Sequence, residues 1–350
     1  MRLAAVAAAL ATTLVGVGTA SAHGQPGKPG TPTTLASGFA GPLQIDATND
    51  GKVLVAQDFA GVVTSVDKKG VKTDLVSEPG NEIAGVAAGP YGTVWYTSGQ
   101  QGTSFDLKVR GPKGGTHVVA DLQAYEAANN PDQVNTYGFL GISADCAAQL
   151  PPELGPATYG GVVDAHPYAL ATTRFGVFVA DAAANDILLV DWWGHIHLVS
   201  VLKPQPTVVT ADAAAANGLP DCTVGLTYNF EPVPTDVEVG PHGQLYVTTL
   251  PGGPEDPSLG ARGSVYRIDP WTGRSARVAT GFLGATNLAV APNGTIYVAE
   301  LFGGQISKVT RSGNVPVVSV DSPAAVEWDR GRLLLTSEVF ADGKLLSVKL

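Results

Sequence analysis

The chain has 350 residues, with 31 acidic against 21 basic side chains, a formal net charge of −10 and only 15% charged residues. That sign repels phosphate backbones, and no cluster of Lys or Arg interrupts it, so a nucleic-acid partner is disfavoured. Low charge density together with 43 Gly and 25 Pro fits an all-β protein better than a helical one.

In chain order, the first feature reads as an export signal. Arg2 precedes an apolar run over residues 3–17, and Ala20-Ser21-Ala22 forms an A-x-A cleavage pattern that places the mature start at His23. An uncleaved membrane anchor is the competing reading of so apolar a stretch. Against it stand the cleavage pattern and the Pro26, Gly27, Pro29 and Gly30 that follow. The expectation is a signal peptide over residues 1–22, a flexible segment over 23–32, and a secreted, extracellular domain over 33–350 with no membrane span after cleavage.

Within that domain one phrase recurs six times, a polar turn ending in Gly and then a β-rich run. It reads Asp50-Gly51 before residues 52–56, Tyr91-Gly92 before 93–97, and Phe175-Gly176 before 177–180. It returns as His242-Gly243 before 244–248, Asn293-Gly294 before 295–299, and Arg330-Gly331 before 332–336. A period of about 40 residues built from short strands is the pattern of a β-propeller. Each unit runs strand, tight turn, strand, loop, strand, turn, strand, which makes one four-stranded antiparallel blade. The last unit supplies only three strands, and residues 33–37 form a spare one. The expectation is therefore an all-β, six-bladed β-propeller closed by its N-terminal strand, with five or seven blades left open because two units are interrupted.

The interruptions cover residues 123–161 and 203–233. Both fall between an outer strand and the next inner strand, while a third long loop, 251–261, joins a second strand to a third. These connections leave the same face of the disc, so elaborated loops gather on one side, where binding usually resides. Cys146 and Cys222 lie one in each insertion, and a disulfide between them is expected in an exported chain. A reactive thiol finds no nearby basic residue in support.

Three stretches carry a family resemblance: Thr34-Leu35-Ala36-Ser37-Gly38-Phe39 with Gly41-Pro42-Leu43, Tyr137 through Cys146, and Asp164-Ala165-His166-Pro167-Tyr168. They resemble the ScyD/ScyE family, named after proteins associated with scytonemin pigment biosynthesis and common as secreted proteins in actinobacteria. The resemblance spans nearly the whole mature chain. It implies an NHL-like β-propeller and no established reaction, and it carries no catalytic residues across.

Candidate site residues are the polar groups near inner-strand starts and in the loops after second strands. The first set is Gln44, Glu82, Asp164, His166, Tyr168, Asp236 and Asn287; the second is Asp58, Asp181, Glu300 and Glu338. Carboxylates converging from several blades suit Ca²⁺ or another divalent cation. Metal-dependent lactonase propellers use a central site of that kind, but their Glu-Gly-Pro opening is missing here, where Ala40 precedes Gly41-Pro42. The plainer account is that these acids accept backbone hydrogen bonds at strand ends. Asp164 and His166 are the candidates for acid–base work. No Gly-x-Ser-x-Gly elbow, phosphate loop or C-x-x-C pair is present.

Two functions follow as expectations. One is a binding module that presents its insertion face to a small molecule, glycan or extracellular protein. The other is a metal-dependent hydrolase or lyase working in the central funnel.

Overall fold

The Gly-ended turns of the repeat sit where the chain reverses between the first and second strands of successive sheets. Gly51, Gly243 and Gly294 take φ of +85°, +80° and +82°, values that a side chain's Cβ disfavours and a tight hairpin turn requires. The computed structural model describes residues 30–254 and 257–350. The expected signal peptide and most of the expected flexible segment lie outside the described residues.

Among the described residues the chain is all-β apart from short helices and 3-10 turns, and its strands form seven four-stranded antiparallel sheets. Six of these follow one plan. Sheet 1 contains Pro42–Ala47, Val53–Gln57, Val62–Val66 and Lys72–Ser77; sheet 2 contains Val86–Ala88, Val94–Gln100, Ser104–Arg110 and Thr116–Asp121. Sheet 3 runs from Pro167–Thr172 through Gly176–Asp181 and Asp186–Asp191 to Ile196–Val201. Sheet 4 runs from Pro234–Val239 through Leu245–Thr249 and Gly263–Ile268 to Ser275–Phe282. Sheet 5 is Ala285–Val290, Ile296–Glu300, Gln305–Thr310 and Gly313–Ser319. Sheet 6 takes Val326–Asp329, Arg332–Ser337 and Gly343–Lys349 from the end of the chain and Thr33–Phe39 from its start, with Ala36 opposite Leu345 and Phe39 opposite Gly343.

The first strands of these six sheets touch in the cycle 1-2-3-4-5-6-1. This architecture is consistent with a β-propeller. Val, Leu, Ile and Ala alternate along the strands and fill the spaces between neighbouring sheets. Val55, Leu334 and Leu345 pack between sheets 1 and 6, and Ala299, Ile306, Leu333 and Val348 between sheets 5 and 6. Each such buried aliphatic side chain contributes about 1.5–3 kcal/mol relative to exposure.

The seventh sheet breaks the repeat. It orders Thr158–Tyr159, Tyr137–Leu140, Thr227–Phe230 and Gln205–Val208, so the two insertions, expected as elaborated loops, pair with each other into a layer of their own. Gly138 opposite Asn229 and Leu140 opposite Thr227 set the register between insertions. The disulfide Cys146–Cys222, with Cα atoms 5.9 Å apart, ties the helix Ala144–Ala147 of one insertion to the turn Asp221–Thr223 of the other. No helix of the described residues is long and apolar enough to cross a membrane.

The hairpin turns at the other ends of the strands are short, yet not featureless. Tyr91, Trp193 and Trp271 are exposed there, and Phe175 stacks edge-on against Trp271 at 4.8 Å. Packing between sheets therefore accounts for Trp95 and Trp192, whose rings lie 5.5 Å apart, but not for Trp193 or Trp271.

Candidate functional site

The first strand of each sheet has one edge without a strand partner, and its N–H groups need acceptors. Side chains from the preceding sheet supply them. Gln44 Oε1 accepts from Val86 N at 2.7 Å, Asp46 Oδ2 from Ala88 N at 2.6 Å, Asp236 Oδ2 from Leu288 N at 2.8 Å, and Asn287 Oδ1 from Val326 N at 2.7 Å. Threonine hydroxyls add links of the opposite polarity, Thr172 Oγ1 donating to Ala88 O and Thr286 Oγ1 to Ala324 O. Three expected ligand-binding residues, Gln44, Asp236 and Asn287, are thus buried and engaged with neighbouring strands. Gln44 also donates from Nε2 to Asp236 Oδ1 at 3.1 Å, joining sheet 1 to sheet 4 across the middle of the ring.

Two residues further along these strands lies an acidic tier that the sequence reading did not single out. Strand register puts Asp46, Glu238 and Glu327 at equivalent positions, opposite Leu54, Tyr246 and Leu334, while Ala171 and Ala289 take the same place in sheets 3 and 5. Burial pushes the Asp46 carboxyl up to about 6, and burial with the charge of Asp46 pushes Asp236 up to about 7. Glu238 and Glu327 are driven well above their ordinary range by burial first, then Glu238 by the charges of Glu327, Asp236 and Asp46, and Glu327 by those of Asp46 and Asp236. The folded protein therefore holds protons that the unfolded chain releases, and stability falls as pH rises from about 4 through about 7. Glu238→Gln or Glu327→Gln should raise the melting temperature at pH 8 and leave it nearly unchanged at pH 4, which thermal denaturation across pH checks directly.

Nearer the insertion face, His166 Nε2 meets Glu82 Oε2 at 2.9 Å. Asp181 Oδ1 accepts His166 N at 2.7 Å, and the imidazole sits 5.1 Å from the Phe105 ring and 5.4 Å from Tyr168. Burial alone would lower the His166 pKa; the hydrogen bond and charge of Glu82, joined by Asp58 and Asp181, lift it above its ordinary value. Asp58 is only 5% exposed, and its Oδ1 has no hydrogen-bond partner. Burial and then the Glu82 charge push its carboxyl up to about 7, against the opposing pull of His166. The result is a His–carboxylate pair beside Asp58, a carboxyl that burial favours in its protonated form. Asp164, also expected at this mouth, accepts Gly102 N through Oδ1 at 3.1 Å.

The remaining candidates have partners within the fold. Glu300 is buried, with Oε2 accepting Leu283 N at 2.8 Å and Oε1 accepting Gln305 Nε2 at 2.8 Å. Glu338 pairs with Lys344. Tyr168 packs beside Leu43, Leu301, Ala324 and Val339. Among the described residues, no group of three or more His, Cys, Asp or Glu side chains stands close enough together to hold one metal ion.

A different site lies in the insertion layer. A cavity of about 90 Å³ opens between the seventh sheet, the helix Ala211–Ala216 and the loop that follows Leu245–Thr249. Phe139, Tyr159, Tyr228 and Phe230 form its aromatic wall, Leu154, Val209 and Ala213 its aliphatic side, and Glu231 its acidic edge. The rings are set against one another: Phe139 lies edge-on to Tyr228 at 4.8 Å, and Tyr228 sits 4.5 Å from Phe230. Gly253, at φ +104°, lets the loop reach the wall, since a Cβ there would come within 2.5 Å of the Phe230 ring. Arg262 covers the Phe230 ring at 4.3 Å and donates to the carbonyls of Pro251 and Gly252, fixing the same loop. Burial raises the Glu231 pKa and the charge of Asp132 adds to it, against hydrogen bonds from Tyr159 and Asn185. The reading by repeat phase passed over these residues because the insertions lie outside the repeat. The available signal was Tyr228-Asn229-Phe230-Glu231, in which two aromatics at strand spacing share a face.

No family model matches the chain, and no curated protein matches its sequence. Solved structures match its fold. A PQQ-bound aldose sugar dehydrogenase from Streptomyces coelicolor is 14% identical with a TM-score of 0.57, covering 93% of this chain and 99% of the other. Virginiamycin B lyase from Staphylococcus aureus is 13% identical with a TM-score of 0.51, covering 91% of this chain and 98% of the other. A chain of a nidogen/laminin complex is 11% identical with a TM-score of 0.50, covering 82% and 85%. At such identities the likeness supports a β-propeller fold and nothing about activity.

Proposed function

We propose that this is an exported, six-bladed β-propeller of the ScyD/ScyE type, which binds a small molecule with a flat apolar body in the cavity of its insertion layer. The cavity carries the reading. It combines an aromatic wall, an aliphatic side and one protonatable carboxyl, the composition of a small-ligand site. Sheets 1 to 6 in cyclic contact support six blades, with the N-terminal strand completing the ring and the seventh sheet lying outside the count. The disulfide and the signal-like N-terminus support export.

Thermal shift against a panel of small phenols, aromatic amines and aromatic acids tests the site. At least one class should raise the melting temperature of the wild type, and the rise should disappear in Ala213→Leu, which fills the cavity from a helix position that favours Leu. Equal shifts in both proteins would remove the cavity from the account.

A second reading rests on the His166–Glu82 pair with Asp58, which together could exchange protons with a substrate at the funnel mouth. It is the hydrolase or lyase alternative. The same panel separates the two, because a ligand held at the mouth keeps its effect in Ala213→Leu and loses it in His166→Ala.

A further inference from the structure

The short hairpin turns carry a pattern that neither site uses. In sheets 1 to 5 the turn between the first and second strands and the turn between the third and fourth leave at the same end, as antiparallel order requires. Gln44 reaching Val86 and Asp46 reaching Ala88 set neighbouring first strands parallel, and Arg330 Nη2 donates to Asn49 O at 2.9 Å between the turns of sheets 6 and 1. These turns therefore gather at one end of the ring. Each of the six sheets exposes a basic side chain there, namely Lys69, Lys113, Arg174, Arg274, Arg311 and Arg330 in sheet order. In a chain of net charge −10, that end is set apart.

The turns of sheets 1, 3 and 4 are built alike. Asp67 Oδ1 accepts Lys69 N at 2.8 Å, Asp191 Oδ1 accepts Trp193 N at 2.9 Å, and Asp269 Oδ1 accepts Trp271 N at 2.9 Å. Sheet 1 closes its turn with a lysine where sheets 3 and 4 have tryptophan, so the turn itself makes no demand for an indole. Packing leaves most of both rings in solvent, with Trp193 82% and Trp271 67% exposed. Large apolar surface held out on neighbouring turns marks a contact with something outside the chain.

Trp271 is also braced. Phe175 from sheet 3 stands edge-on to it at 4.8 Å, Arg174 covers the Phe175 ring at 4.6 Å, and Ser200 Oγ donates to Gly273 O at 2.9 Å, tying the turn to sheet 3. Beside Trp271 runs a groove of about 510 Å³, lined by His242, Gln244, Arg267, Arg274 and Ser275. Its size lies within the roughly 300–1,000 Å³ of small-ligand clefts. Among the described residues the Arg267 guanidinium has no ion-pair or hydrogen-bond partner. Asp269 also borders the groove, but its carboxylate accepts the N–H groups of Trp271 and Thr272, and Arg274 stands beyond ion-pair distance from it.

We propose that this groove binds an acidic polysaccharide, with the Trp271 ring stacked on the apolar face of a uronic acid residue and Arg267 and Arg274 holding its carboxylate. Guanidinium forks match carboxylates, and an indole face matches the C–H face of a sugar ring. An anionic lipid surface would call for aromatics standing clear of the arginines, whereas Trp271 is braced by Phe175 and forms a wall of the groove.

The test is native electrophoresis of the full chain through gels containing polygalacturonate. Wild type should be retarded by it and not by neutral dextran, and the retardation should fade from about 0.1 to about 0.5 M NaCl. Trp271→Ala, and Arg267→Ala together with Arg274→Ala, should each weaken binding about tenfold while the melting temperature stays within about 2 °C of wild type. No retardation of wild type overturns the proposal, as do equal retardation of Trp271→Ala, equal retardation by dextran, and capture by phosphatidylglycerol vesicles without retardation by polygalacturonate. Should the variants fail to fold, oxidation of wild type by N-bromosuccinimide, read by mass spectrometry, decides the matter. Oligogalacturonate should protect Trp271, and absence of protection refutes the site.

Discussion

Replacing Gln44 by alanine is expected to lower stability by about 2–4 kcal/mol. The side chain makes two buried hydrogen bonds in opposite directions, accepting Val86 N at 2.7 Å and donating to Asp236 Oδ1 at 3.1 Å. Truncation leaves a buried amide without its side-chain acceptor and a buried carboxyl with one donor fewer. Asn287→Ala removes one such link, to Val326 N, and should cost about half as much. Urea denaturation measures both. A Gln44→Ala midpoint equal to that of wild type would mean the cross-ring link is not a structural tie. Ligand binding in the insertion layer should be unchanged in either variant, which separates a strut from a ligand contact.

The second large effect concerns the disulfide. Cys146 and Cys222 are 76 residues apart, and a loop of that length corresponds to about 4 kcal/mol of chain entropy. Cys146→Ser with Cys222→Ser should therefore cost a large part of that figure. The loss should be concentrated in the seventh sheet, whose strands are only two to four residues long and join two segments distant in sequence. Sheets 1 to 6 keep their own ladders and cores. Limited proteolysis should cut first within residues 123–161 and 203–233 of the double variant, and the panel compounds should no longer shift its melting temperature. Uniform cleavage along the chain would show that the layer and the six sheets unfold together.

How legible each part was in the sequence follows from the range of the interactions that fix it. The strands after Gly51, Gly243 and Gly294 were readable because a local requirement for positive φ repeats with them. The pairing of Thr33–Phe39 with Gly343–Lys349 was readable as well, because a missing fourth strand at one end of the repeat matched a spare one at the other. The seventh sheet was not. Thr158–Tyr159 has no period of its own, and Gly138 finds Asn229 only after a whole sheet has intervened. The functional candidates divide in the same way. Repeat phase brought out Gln44, Asp236 and Asn287 as polar groups at the inner ends of strands, but it contains nothing to decide between a ligand and the next strand's amide as their partner. His166 and Glu82 meet because sheets 2 and 3 are neighbours, and the sequence placed both at strand starts without pairing them. Glu126 and Asp186 drew no expectation from the repeat, and their burial is a property of the fold alone.

On the proposed function, the insertion layer rather than the funnel receives the ligand. A crystal structure of the protein soaked with the compound giving the largest thermal shift tests it most directly. Ligand density is expected against Tyr228, Phe230 and Leu154, with a polar group facing Glu231. Density beside His166 and Glu82, with the cavity unfilled, would contradict it.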